Sequence, residues 1–419
     1  MNENHSPAEL KYKRRWLASP LRQAVKDHPI IILTGARQVG KSTLLRRELP
    51  FSKWRYHTLD DLDVLAQSKR DPAALWAGAH RIILDEVQKS ANLLDAVKAA
   101  VDANPGQYRF ILSGSANLLL MRKISESLAG RAVYFTLYPM TIGELNELPP
   151  PNLLSALFAG RFPNAGQTKS KSLDPFTIMW KGLMPALLKL TSTASVLQWW
   201  EGYVATYLER DLRQLSQVDS LPDFRRLMTA LALRSGQILN QTNIAGDIGM
   251  SQPSVHRYIN LLETSYLVER LPAYAVSRTK RLIKAPKLIW HDSGLASFLA
   301  GNFEPEVLKS SREAGGLFES LVGLHLSVLC QLLTPKPRLY HWRTTTGHEV
   351  DFILEWGRKI IAFEVKLSSK PQFSDTATLQ LFLEEYPEAA AGVLIHSGTE
   401  IKMLHQKIIA VPWTLLGGF

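Results

Sequence analysis

Over residues 1–147 short apolar runs alternate with helical patterns, the arrangement a parallel α/β sheet requires. The predicted strands are Ile30 to Thr34, Arg55 to Leu59, Arg81 to Leu84 and Phe110 to Ser113. Each is followed by polar, glycine-bearing or acidic residues, as loops at the carboxyl ends of strands should be. Residues 148–180 break the alternation. Pro149, Pro150 and Pro151 precede GRFPNAGQTKSKS, which neither continues a helix nor pairs as a central strand, and the stretch reads as a linker or insertion. Helical spacing returns over 181–235, read as a helical lid, where Trp199, Trp200, Tyr203 and Tyr207 are expected in a core rather than as a base-stacking platform. A winged helix-turn-helix is expected over 236–300, and mixed helix and strand over 301–419.

At 419 residues the chain should hold two or three separate cores. Its 46% hydrophobic and 21% charged residues exclude wholesale disorder. No apolar stretch nears the roughly 18 residues that cross a bilayer, and MNENHSPAELKYKRRW contains nothing resembling a secretory signal. A cytoplasmic protein with no membrane partner is expected. The single cysteine, Cys330, rules out an intramolecular disulfide and a multi-cysteine zinc site, and its run LVGLHLSVLC suits a small buried hydrophobe. Lys plus Arg minus Asp plus Glu is 49 − 38 = +11, which favours a polyanionic partner without requiring one.

The chemistry concentrates after the first strand. Gly35, Ala36, Arg37, Gln38, Val39, Gly40, Lys41 and Ser42 match GxxxxGK[ST] between an apolar strand and a helical run, with Thr43 next in the helix. Two glycines let successive N–H groups face one anionic centre. Lys41 then reaches the β and γ phosphates of ATP, and Ser42 offers its hydroxyl to Mg²⁺. Arg81 to Glu86 is an apolar strand ending in two acids: Asp85 suits Mg²⁺, and Glu86 suits polarisation of the attacking water. A third strand ends in hydroxyls that can position that water, Ser113 first and Ser115 second.

The phrases GARQVGKST, IILDEVQ, FILSGSANLL, SLAGRAV with LYPMTIGEL, and YLERDL resemble a widespread prokaryotic AAA+ family of poorly characterised ATP-binding proteins. The resemblance implies an ATPase with catalytic Lys41, Asp85, Glu86 and Ser113. It also places Arg131 where such ATPases put an arginine that reaches a neighbouring subunit's γ-phosphate. A homo-oligomer is thereby implied, a hexameric ring among the forms it takes, and Arg210 and Arg213 become candidates for a second sensor from the lid.

Residues 238–271 divide into a short helix, a turn at Gly249 and a second helix after Ser251. Ala245 and Ile248 should face Val255 and Ile259 across the turn. Ser251, Gln252, Ser254, His256 and Arg257 then decorate the early turns of a recognition-like helix. Arg278, Lys280, Arg281, Lys284 and Lys287 form an acid-free stretch expected to grip a DNA backbone from a wing. The alternative is that this segment contacts protein or only extends the lid.

Glu349 to Trp356 and Lys359 to Lys366 alternate around a glycine turn and predict a β-hairpin. Period two sets Glu364 and Lys366 on one face, pairing brings Asp351 beside them, and Glu319 on a helix can add a carboxylate. Glu319, Asp351, Glu364 and Lys366 resemble the PD-(D/E)xK nuclease superfamily, which implies a second Mg²⁺ site and phosphodiester attack by water. A charged surface hairpin would read nearly the same. Three functions remain open: an ATPase coupled to DNA, a nucleotide-controlled protein switch with an inactive C-terminal domain, and an ATP-regulated endonuclease.

Overall fold

The computed structural model describes residues 12–90, 92–114, 128, 130–164, 172–211, 218–277, 279, 281 and 284–419. The amino-terminal unit opens with α1 (Ala18–Asp27), then β1 (Ile30–Thr34), α2 (Lys41–Arg47), β2 (Arg55–Thr58), α3 (Leu62–Arg70), β3 (Arg81–Asp85), α4 (Asn92–Ala103), β4 (Arg109–Ser113) and β5 (Ala132–Thr136). These strands form a parallel sheet in the order β2-β3-β4-β1-β5. β4 therefore sits between β1 and β3, and the loops following all three open on one edge. β5 has no counterpart among the predicted strands. It is an edge strand whose residues are all half-buried or exposed, although AVYF is an apolar run.

α5 (Ile142–Leu145), α6 (Leu153–Phe158) and α7 (Pro175–Lys181) follow. Residues 148–180 thus hold two helices where a linker was expected. Leu154, Leu157 and Phe158 are buried, and the Phe158 ring lies 5.3 Å from that of Trp356. α8 (Thr193–Tyr203) runs into a π-helical turn, Val204–Asp211. Trp200, Tyr203 and Tyr207 are buried, as helical spacing predicts for a core.

α9 (Leu221–Ala232), α10 (Gln241–Ile248) and α11 (Gln252–Thr264) precede an antiparallel pair, β6 (Val268–Leu271) and β7 (Lys287–Trp290), with Ile238 bridged to Lys287. The turn between α10 and α11 is built by local chemistry. Asn240 caps α10, Gly249 takes φ +65 beyond its end, and Ser251 accepts from the Ser254 N–H to start α11 with Pro253 in its first turn. Ala245, Val255 and Ile259 are buried across the turn.

α12 (Ser293–Leu299), α13 (Pro305–Ser310) and α14 (Ala314–Cys330) lead to the last sheet, β8 (Arg338–Arg343), β9 (Glu349–Trp356), β10 (Lys359–Lys366), β11 (Ala391–His396), β12 (Lys402–His405) and β13 (Ile408–Pro412), with α15 (Ala377–Glu385) between β10 and β11. The order is β12-β13-β11-β10-β9-β8, and β9 and β10 make the predicted hairpin across Gly357, whose φ is +65.

Separate cores were expected from length, but one continuous apolar cluster runs from Leu21, Ile31 and Ile83 through Trp200 and Trp290 to Phe352, Phe363 and Trp413. Smaller clusters cover the far face of each large sheet. The helices between the two sheets are apolar on enough of their surface to join both, so Cys330 is one of that core's side chains, its thiol pushed up to about 12 by burial.

Candidate nucleotide site and the C-terminal carboxylates

The loop after β1 depends on its glycines. Gly35 holds φ +142, and a Cβ on it would lie 2.2 Å from the Leu137 carbonyl oxygen, so no larger residue fits. Gly40 holds φ +95, and Gln38 has a positive φ of 65 without being glycine, a strained conformation at the crest of the loop. Ala36 and Val39 anchor the loop in the core, whereas Arg37, Gln38 and Thr43 are not buried. Lys41 is buried, and its ammonium donates to the carbonyls of Gly35 at 2.9 Å and Ala36 at 3.0 Å. Burial pushes Lys41 down to about 8, against the pull of Glu86 and Asp85 in the other direction.

Two supports of this loop were not anticipated. Buried Arg15 donates to Val39 O at 2.8 Å and Tyr138 O at 2.6 Å, and pairs with Glu144 at 3.2 Å. Glu144 accepts in turn from the N–H groups of Trp16 and Thr141. The segment LYPMTIGEL is therefore structural: it holds the arginine that braces the phosphate loop. In the sequence, Arg15 is one cation in the run KYKRRW and looks like surface. Tyr203 and Tyr207 form the second support, since the Tyr203 hydroxyl donates to Arg37 O at 3.4 Å and the Arg37 guanidinium lies 5.8 Å from the Tyr207 ring.

The other members arrive from the ends of β3 and β4. Asp85 is buried; its Oδ2 accepts from the Tyr56 hydroxyl at 2.5 Å and its Oδ1 from the Glu86 N–H at 3.1 Å. Tyr56 also bonds Ser42, so one hydroxyl from β2 links the two predicted Mg²⁺ ligands. Burial and the Asp85 bond raise that phenol above its usual range. Glu86 holds φ +56, and its carboxylate accepts from the Gln88 side-chain amide. Gln88 in turn packs against Gly114, where a Cβ would meet it at 2.4 Å. Ser113 is fully buried, and its hydroxyl has no hydrogen-bond partner among the described residues. Tyr56 carries no motif, and only the strand order that puts β2 beside β3 makes it a neighbour of the acids; Gln88 follows Glu86 by two residues in IILDEVQ.

Arg131 lies elsewhere. It precedes Ala132, which pairs with Ile30 at the start of β1, so it stands at the edge of the sheet opposite the phosphate loop. Its guanidinium grips Asp102 through Nε at 2.5 Å and Nη2 at 3.0 Å. Ser115 and Arg213 fall outside the described residues, and Arg210 is placed only as backbone in the π-helical turn.

The C-terminal residues do converge. Asp351 and Glu364 are buried on adjacent strands whose ladder ends at Phe352 and Phe363, and Asp351 Oδ2 takes over by accepting from the Val365 N–H at 2.8 Å. Lys366 pairs with Glu364 at 2.7 Å. In their midst, however, lies Lys287, 1% exposed, whose ammonium is 2.6 Å from Glu319, 2.7 Å from Asp351 and 2.9 Å from Glu349. This corrects two expectations. The Lys287 ammonium fills the place where a second Mg²⁺ was expected, and no trio of His, Cys, Asp or Glu among the described residues is set to hold a metal. Lys287 also faces no DNA, because β7 turns it into the core.

A third correction concerns Arg281. It donates to both oxygens of Glu355, at 2.9 and 3.0 Å, and lies over the rings of Tyr274 and Tyr340. The wing is strapped to the final sheet: the Tyr274 N–H donates to His341 O, and the His341 N–H to Pro272 O, on edge strand β8. Arg278 and Lys280 fall outside the described residues. On α11, Ser251, Gln252, His256 and Arg257 are exposed and Ser254 is half-buried; His256 Nδ1 meets Gln241 Oε1, and Arg257 pairs with Asp219. No helix among the described residues is long and apolar enough to cross a membrane.

Three family profiles match parts of the chain. Residues 27–146 match the profile of an AAA domain, 174–306 a domain of unknown function (DUF8612), and 314–416 another (DUF4143). An uncharacterized protein of Mycobacterium tuberculosis is 29% identical over 404 residues, covering 96% of this chain and 83% of that protein, and its Mycobacterium bovis counterpart gives the same figures. Among solved structures, a Walker-type ATPase of Pyrococcus abyssi is 16% identical with a TM-score of 0.45, covering 69% of this chain and 96% of its own. A Thermotoga maritima RuvB is 15% identical with a TM-score of 0.29, covering 61% and 87%. Neither structural likeness carries weight beyond the AAA match.

Proposed function

We propose that this chain, a member of a poorly characterised AAA+ ATPase family, hydrolyses ATP at the loop after β1 and couples the cycle to DNA held on the exposed face of α11. The observation carrying the ATPase is convergence: Lys41, Asp85 and Ser113 reach one edge of the sheet from three neighbouring strands, buried around a loop whose glycines admit nothing bulkier.

The residues fit Mg·ATP, since the Ser113 hydroxyl is buried without a partner and the start of α2 has no side-chain cap. The loop N–H groups and Lys41 would take the β and γ phosphates, Lys41 exchanging two carbonyls for them. Ser42 and Asp85 would hold Mg²⁺, which when bound offsets charge on the phosphates. Glu86 polarises the attacking water after giving up the Gln88 amide, and Ser113 orients that water. Arg131, on the opposite edge, serves a neighbouring copy's γ-phosphate once it leaves Asp102, which makes the active form a homo-oligomer such as a hexameric ring.

A phosphate beside Lys41 favours its charged form, so ATP binding should take up a proton from the fraction of Lys41 that is neutral beforehand. With a free value of about 8, uptake rises from roughly 0.1 proton at pH 7 to roughly 0.75 at pH 8.5. Calorimetry in buffers of different ionisation enthalpy measures this. Lys41→Arg should abolish the rise, and uptake that stays flat with pH rejects the assignment.

The order α9, Ile238, α10, α11, β6, β7 is the order of a winged helix, and the outward residues of α11 support contact with DNA. Because Lys287 is buried and Arg281 is paired with Glu355, the grip rests on α11. Duplex or forked DNA should raise ATP turnover, and its affinity should fall linearly with log salt. Arg257→Ala should weaken binding to all sequences and reduce the salt slope by about one. If no DNA form changes turnover, the nucleotide-controlled protein switch is the better account, and the Lys287-filled cluster favours it among the alternatives.

A further inference from the structure

We propose that Lys287 is a built-in stopper, an ammonium that fills the carboxylate cluster of the final sheet and shuts divalent cations out. The geometry is direct. An ammonium has three donors, and three carboxylates, Glu319 from α14 and Glu349 and Asp351 from β9, lie within 2.6–2.9 Å of this one. Oxygen ligands surround Mg²⁺ or Mn²⁺ in the same kind of space at roughly 2.0–2.2 Å, so ammonium and metal cannot occupy it together.

Charge gives the same answer. Glu319, Glu349, Asp351 and Glu364 face Lys287 and Lys366, an excess of two negative charges if all ionise. Two protons can make up that difference as well as one divalent cation can. At the solvent rim Arg343 adds a further cation, 3.7 Å from Glu349.

The stopper comes from outside the sheet that it closes. Lys287 is the first residue of β7, paired with Leu271 and bridged to Ile238. The connection before it is fastened by Arg281 on Glu355 and by Tyr274 on the edge of β8. A neutral side chain at this position removes the ammonium that fills the cluster. The carboxylates then remain with Lys366 and space for a cation, so the ammonium and metal binding are mutually exclusive.

The test is Mn²⁺ titration of the full chain without nucleotide, followed by electron paramagnetic resonance and calorimetry, with Asp85→Asn throughout to silence the phosphate-loop site. In that background the otherwise native chain should bind no Mn²⁺ at the cluster. Lys287→Met should bind one equivalent roughly tenfold or more tighter, lose it on adding Asp351→Asn, and melt at a higher temperature with Mn²⁺ present. Arg281→Ala, which touches no carboxylate of the cluster, should gain affinity in part. Equal Mn²⁺ binding with Lys287 intact, or none in folded Lys287→Met, overturns the stopper. If Lys287→Met is recovered only unfolded, Arg281→Ala decides: tighter Mn²⁺ binding upholds the stopper and unchanged binding overturns it.

Discussion

Glu86→Gln is expected to lower ATP turnover by roughly 10²–10⁴-fold while ATP still binds. The amide keeps the size of the side chain but cannot draw a proton from water, so the loss should fall on kcat rather than on affinity. The positive φ of Glu86 and its bond from Gln88 make this residue the sensitive one. A non-glycine residue held at φ +56 persists because the surrounding contacts over-determine it, and here the carboxylate is close enough to Lys41 to favour its charged form. Lys41→Met should behave differently, losing affinity together with turnover. Single-turnover hydrolysis and nucleotide calorimetry on the same preparations separate the two. Turnover of Glu86→Gln within tenfold of the native rate would mean that another group polarises the water.

The second large effect is on stability. Lys287→Met should cost roughly 3–5 kcal/mol at neutral pH, because Asp351 and Glu349 lose a buried cationic partner and nothing replaces it. Urea unfolding followed by the fluorescence of Trp290, which is wholly buried on the same strand, reports it. The pH dependence has a definite sign. Glu319 and Glu364 titrate near 8 in the native chain and near an ordinary ~4.5 unfolded, so between those values the native state holds protons that the unfolded state has released. Their stabilising contribution is therefore complete below about 4.5 and is lost as pH rises through about 8. The native midpoint should fall from pH 6 to pH 8.5, and Glu319→Gln with Glu364→Gln should flatten the decline. A midpoint that rises over this interval contradicts the assignment of protons to these two carboxyls.

The parts of the site written in short segments were legible before folding was considered. A phosphate loop needs glycine at two positions and lysine at one, within a single turn of chain, so Gly35, Gly40 and Lys41 announce themselves. The hairpin across Gly357 is local in the same sense, because period two and a turn suffice. Arg15 and Tyr56 were not legible. Each reaches the site from a segment with no motif, and only sheet order or a long-range hydrogen bond brings it there. Lys287 was misread for the same cause: in the sequence it closes a basic run and looks like backbone-binding surface, whereas β7 carries it into the core.

The sequence by itself determined the local chemistry: a phosphate-binding loop, an acidic strand end, a capped helix pair and a charged hairpin, each specified by neighbours a few residues away. Tertiary structure alone decided which charges meet. A lysine and the acids it neutralises lie 32 to 64 residues apart, from Glu319 to Asp351, and burial makes their encounter matter. Out of water an unpaired charge is costly, so the fold that buries Asp351 and Glu364 also had to supply cations, and no local pattern records which lysine would reach Asp351.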